Sequence, residues 1–271
     1  MKRTHYKRRE LGFSLIEMMI AAVIFILLCG AAFALLSVAQ QRYQTESQVL
    51  NSFQEARFGL DEIVRDVNGS GYPPKNSFSF SSTQPSATLY ASTPVAWVPG
   101  YPNSPCLIGT TCNPTPSDFD MVIERDVDPW RHDGVEWTRY QLQGTVLSRA
   151  QTYKMAGPGA DPDGTTTPAF VPYVQNVMNN APPAQIAQFR LVYPQMFPGG
   201  NPVPIFTYIC PNPTPPPSTI ACSSAGSYNS PVNVTDVEIT LIVMAPTVDA
   251  QTGAPRLIEL HGRGHSLNPI Q

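Results

Sequence analysis

The chain has 271 residues, 42% of them hydrophobic and only 14% charged, with 29 Pro and 18 Gly. That length allows one large domain or two small ones, and the Pro and Gly content calls for many turns. Both features argue against a helical bundle and against a charge-rich cytosolic enzyme. The formal net charge is −3; residues 1–12 hold five basic side chains against Glu10, a net of +4, so the remainder stands at −7 and lacks the basic surface that nucleic-acid binding requires.

The N-terminus carries the strongest signal. Lys2, Arg3, Lys7, Arg8 and Arg9 precede Gly12-Phe13-Ser14-Leu15-Ile16-Glu17, and an apolar run follows. From Met18 to Val38 there is no charged residue and no Pro, about 21 positions or roughly 30 Å of helix, enough to cross a hydrocarbon core. The basic flank predicts a cytoplasmic N-terminus, with everything after about Gln40 translocated. A cleaved secretory signal would have a shorter apolar region with the small residue after it, whereas here Gly12 comes before the run. A plain signal anchor explains length and orientation, but not a carboxylate at Glu17, which costs a few kcal/mol inside a membrane helix and is therefore a functional candidate.

The order Gly-Phe-Ser-Leu-Ile-Glu over residues 12–17 closely resembles the cleavage motif of type IV prepilins. The resemblance implies cutting between Gly12 and Phe13 by a prepilin peptidase, N-methylation of Phe13, and retention of the apolar run. It further implies that Glu17 neutralises the terminal amine of a neighbouring subunit. A buried carboxylate is tolerable when paired and costly when left alone.

Helix-compatible sequence continues without Pro to Val67. Val49, Phe53, Ala56, Leu60, Ile63 and Val67 recur at steps of three and four, which predicts one buried stripe. Asn68-Gly69-Ser70-Gly71 and Tyr72-Pro73-Pro74 end the helix. The expected organisation is a leader over 1–12, a membrane-spanning half helix over 13–39, an amphipathic half over 40–71, and an extracytoplasmic β-rich head over 72–271. Many major pilins carry a helix-kinking Pro in the membrane part; this chain has none there, a departure that points away from a major subunit.

In the head, alternating patterns predict strands over 119–125, 135–142, 145–150, 186–193, 234–244 and 256–261, with Gln143-Gly144 as a hairpin turn. The last two strands would pair across the polar loop 249–253. The fold class read from this is α+β: a long N-terminal helix packed on an antiparallel sheet. Residues 57–67 with Gly71-Tyr72, residues 126–149 and the final hairpin resemble PilW-type minor pilins, and J-type minor pseudopilins of type II secretion share much of this.

Residues 73–118 and 194–233 read as long loops rich in Pro, Ser, Thr, Asn and Gly. Their aromatics Trp97, Tyr101, Tyr208 and Tyr228 are expected at the surface, as turn fillers. Of the five Cys, Cys29 lies in the apolar run. Cys106, Cys112, Cys210 and Cys222 allow three disulfide connectivities; the two local ones are expected if the head sits in an oxidising compartment. A zinc site is the weaker reading, because neither pair has C-x-x-C spacing.

No nucleophile elbow, phosphate loop, dinucleotide fingerprint or zinc-protease motif occurs, so no enzyme activity and no cofactor are expected. His261 and His265 lack a third partner and read as surface His. Asp126, Asp128 and Asp133-Gly134 resemble a fragment of a calcium loop, but Pro129 and Trp130 break its spacing; a turn is expected, with calcium as the open alternative. The functional expectation is a minor pilin that helps to initiate a type IV pilus. Its partners would be prepilin peptidase, other pilins or minor pilins, and an inner-membrane assembly platform. The alternatives are a minor pseudopilin of a type II secretion system and a membrane-anchored extracytoplasmic enzyme.

Overall fold

The computed structural model describes residues 12, 14–78, 86–131, 133–155, 162, 169–212, 218–224, 226–248 and 253–266. The leader before Gly12, Phe13 and the loop residues 249–252 lie outside the described residues. The chain divides into two compact units, residues 1–48 and 49–271.

A single helix, α1 (Leu15–Asn68), accounts for the described part of the first unit beyond Gly12 and Ser14 and opens the second. In the first unit its apolar side chains face outward: Leu15, Ile16, Met19, Phe25, Leu28 and Phe33 are all more than half exposed. This helix is long and apolar enough to cross a membrane.

In the second unit the expected stripe turns inward. Val49, Ala56, Leu60, Ile63 and Val67 are buried, with Phe53 half-buried. The helix stops at Asn68, where Gly69 N–H and Ser70 N–H return to the carbonyls of Arg65 and Val67. Gly71, at φ 79°, then turns the chain away.

Two antiparallel sheets follow, where the sequence suggests one. The first contains β1 (Val95–Ala96), β2 (Asp120–Arg125), β3 (Glu136–Gln143), β4 (Val146–Tyr153) and β5 (Val171–Val174), in that spatial order. The β3–β4 turn has Gly144 at φ 63°, the left-handed backbone a two-residue hairpin needs. The second sheet contains β6 (Phe206–Asn212), β7 (Ser218–Ala221), β8 (Asp236–Val248) and β9 (Pro255–His265), in the order β7-β6-β8-β9. Residues 176–178 continue from β5 to β8: Met178 N–H donates to Ile242 C=O and Met244 N–H to Asn176 C=O. Buried Asn179 seals this junction, accepting from Ile242 N–H and donating to the carbonyls of Val203 and Thr240.

The main core lies where the α1 stripe meets both sheets: Met121, Ile123, Tyr140 and Leu147 from the first, and Val237, Ile239, Leu241 and Val243 from the second. Helix and β9 approach closely because Gly262 and Gly264 have no side chains. A Cβ on Gly264 would stand 2.5 Å from Val67 Cβ, and one on Gly262 would stand 2.8 Å from Val64 Cγ2.

Three expectations are corrected. Residues 186–193 form no strand: α2 (Pro183–Val192) lies there, and its Ile186 and Phe189, three apart, pack on Phe197 and on Ile242 of β8. Pro182 and Pro183 fit its N-terminus, where a missing N–H costs nothing. The two Pro-rich stretches are not without regular structure, since they hold β1, β6, β7 and several single 3₁₀ turns. Trp97, Tyr101 and Tyr208 are buried rather than surface-placed, while Tyr228 is exposed.

Candidate functional site

The start of α1 is built by two side chains. Ser14, the residue before the first helical one, donates its N–H to Glu17 Oε2 at 2.9 Å, and Glu17 N–H donates to Ser14 Oγ at 3.3 Å. Met18 N–H closes the first turn onto Ser14 C=O at 3.2 Å. This reciprocal arrangement is a capping box, which satisfies amides that a helix end otherwise leaves orphaned. It follows from Ser and Glu standing three apart, a spacing legible in the sequence though its capping role was not drawn from it. Gly12 is exposed, Glu17 is exposed, and Phe13 lies outside the described residues. Glu17 is therefore tied to its own chain through Oε2.

The four head cysteines form two local bonds, Cys106–Cys112 and Cys210–Cys222, each with Cα atoms 4.9 Å apart. Cys106 packs with Trp97, Tyr101 and Trp137, and Cys210 and Cys222 lie in the main core. Cys29 is a free thiol.

Sequence reasoning missed a set of buried ionic contacts. Asp66 Oδ2 on α1 accepts hydrogen bonds from Tyr140 Oη at 2.6 Å and Arg149 at 3.2 Å, and Asp66 Oδ1 forms an ion pair with Arg125 at 2.7 Å. Burial and the neighbouring Asp66 carboxylate push the Tyr140 phenol far above its ordinary range. Burial disfavours the Arg149 cation, but Tyr140 and Asp66 outweigh it and raise its pKa. Glu124 on β2 receives Tyr101 Oη, Trp137 Nε1 at 2.7 Å, Ser92 N–H at 2.7 Å and Lys154 Nζ at 3.1 Å. Lys154 also donates to Tyr90 C=O and Ser92 Oγ. Asp120 and Arg139 make a two-pronged pair at 2.8 and 2.6 Å. The available signal was charged residues placed within otherwise apolar strands; which of them meet depends on long-range pairing.

The acidic turn after β2 is occupied by its own contacts. Asp126 Oδ1 accepts Asp128 N–H at 3.0 Å, Asp128 pairs with Arg131 at 2.9 Å, and Asp133 accepts Tyr153 Oη at 3.1 Å. His261 contacts Glu259 and Thr240, and His265 contacts Asp236. Among the described residues, no group of three His, Cys, Asp or Glu side chains is placed to hold a metal ion.

Comparison with known proteins adds one match: residues 7–33 fit the family model of the prokaryotic N-terminal methylation motif. No curated protein and no solved structure matches the chain. The chain thus carries a type IV prepilin-like signal, set at the head of an apolar helix and followed by an α+β unit of antiparallel sheets. The motif supports a type IV pilin-like protein, of a pilus or a pseudopilus.

Proposed function

We propose that this chain is a minor pilin, cut between Gly12 and Phe13, N-methylated on Phe13, and assembled at the start of a type IV pilus. In this reading residues 1–12 are the leader, 13–39 the inner-membrane span, 40–71 the amphipathic continuation, and 72–271 the head outside the cytoplasm. Glu17 supplies the carboxylate that meets the terminal amine of a neighbouring subunit.

The observation that carries the reading is the match over residues 7–33, which takes in Lys7, Arg8 and Arg9 of the leader, Gly12, Glu17 and most of the apolar run. Two disulfides in the head agree with an oxidising compartment. The minor role draws support from the Pro-free membrane helix and from the PilW-like order of the later segments.

The test is N-terminal sequencing of the mature protein from membranes and from sheared filaments. Chains beginning at methylated Phe13 in both fractions are expected. A mature chain that keeps Lys2–Gly12, or that has lost the whole apolar run, overturns the proposal.

A further inference from the structure

On the solvent side of α1, opposite the buried stripe, Glu55, Phe58, Asp61, Glu62 and Arg65 fall on one face at steps of three, three, one and three. Every member is charged except Phe58, whose side chain is 74% exposed. The face is not flat. With Tyr173 of β5 as a wall, it lines an open groove of about 750 Å³ in which Phe58 is the large apolar side chain of the helix. Gly59 lets α1 settle against β5: a Cβ there would lie 2.4 Å from Val174 Cγ2. Tyr173 is half-buried, and burial together with the Glu62 carboxylate lifts its phenol to about 12, so it lines the groove as a neutral group.

Charge decides what fits. Three carboxylates line the groove against one guanidinium, Arg65, which stands 3.5 Å from Glu62. An anionic lipid surface is repelled. The same face of a second copy is a poor match, since it would set Glu55, Asp61 and Glu62 against their own counterparts. The complement is a segment that covers Phe58 with an apolar side chain and brings basic residues to the rim. An aromatic anchor inside a polar rim is the usual energetic layout of a protein interface.

We propose that this groove is the docking site on the head for a different subunit, one that presents an apolar side chain flanked by Lys or Arg. The proposal rests on the pilin-like reading and adds the surface and the chemistry of the partner.

The test places a photoreactive benzoylphenylalanine at position 58 of the full-length chain in its host membranes, with position 191, an exposed Leu on α2, as the control. Expected is a light-dependent adduct from position 58 alone. Its crosslinked partner peptide should be a different polypeptide with Lys or Arg within one helical turn of the attachment point. Glu55→Lys with Glu62→Lys should lower the yield at least tenfold, and reversing the partner's basic residue to Glu should restore it. No adduct, an adduct between two copies, an adduct with lipid, or a yield indifferent to charge reversal each overturns the proposal. N-terminal sequencing of the same sample separates the two ideas. A chain processed to Phe13 without the adduct sinks the groove alone; an unprocessed chain that still gives it sinks the pilin reading alone; an unprocessed chain without it sinks both.

Discussion

Lys154 Nζ stands 3.1 Å from Glu124 Oε2, with both side chains closed off from solvent at 3% and 0% exposure. The pair ties the end of β4 to β2 across β3, and Trp137 and Tyr101 cover it. Removing one partner strands the other charge in a low-dielectric site. Lys154→Met is expected to destabilise the protein by about 3–5 kcal/mol, whereas Lys154→Met with Glu124→Gln should cost less, because the neutral amide removes the stranded charge while its Oε1 still accepts from Tyr101 and Trp137. Urea denaturation of the purified chain in detergent, followed by Trp fluorescence, checks the pair. Equal losses in the single and double variants would show that packing, not charge, is what matters there.

Gly264→Ala tests the contact between helix and β9. Its φ lies outside the left-handed region, so the expected cost is steric: the new methyl meets Val67 Cβ at 2.5 Å. Overpacking of this kind costs about 1–3 kcal/mol. Combining it with Val67→Ala should cost less than the two single losses added together, since the sites touch. Strict additivity in a thermal-denaturation cycle would contradict the close approach.

Asp236 makes stability depend on acidity. Burial alone would raise its carboxyl, but hydrogen bonds from Arg263 at 3.1 Å, Thr235 at 2.8 Å and His265 at 3.0 Å outweigh it and hold the pKa below the ordinary 3.8. A carboxyl depressed in the folded state binds fewer protons there than in the unfolded chain, so stability rises with pH across that interval. The contribution is complete above the unfolded value of about 3.9 and is lost as pH falls through it and then through the folded value. Asp236→Asn should therefore be less stable than the parent at pH 6, with the difference shrinking as pH drops below about 4. Chemical denaturation over that range is the measurement, and a gap that does not narrow refutes the assignment.

Processing and assembly can be separated at the N-terminus. Substituting Gly12 with Leu is expected to leave the precursor at full length on N-terminal sequencing. Glu17→Gln keeps a capping-box acceptor for Ser14 N–H but removes the charge. Membrane insertion and cutting should persist while filament incorporation falls at least tenfold, as read by immunoblot of sheared fractions. Ser14→Ala removes a cap worth about 0.5–2 kcal/mol while leaving Glu17 charged, so its effect on incorporation should be the smaller. Normal incorporation of Glu17→Gln would end the proposed pairing.

Much of the architecture can be read from local patterns. The helix was legible because a 3.6-residue repeat runs without Pro and ends at Asn68-Gly69. The β3–β4 and β8–β9 hairpins were legible because both partners lie close in sequence and alternate. Residues 186–193 misled because Phe189, Leu191 and Tyr193 stand two apart, as on one face of a strand. What decides there is tertiary: Ile186 and Phe189 share a helical face with Phe197 and Ile242 waiting beneath it. β1 and β6 were hidden because their partners are distant, Val95 with Ile123 and Phe206 with Ile239, and the turn-rich composition around them shows no repeat. At the N-terminus the motif itself was plain, whereas Asp66, Glu124 and Lys154 became visible only once the strands had registered.

β8 forms a shared wall between two compartments. Val237, Ile239, Leu241 and Val243 close the larger one against α1, while Ile242 and Met244, on the reverse side, form the floor beneath α2. Neither compartment can come apart and leave the other standing, because each would take the wall with it. Limited digestion of the folded chain should accordingly yield an intact head or small peptides, with no lasting fragment of intermediate size, and α2 should exchange its core amides with solvent on the same timescale as β8.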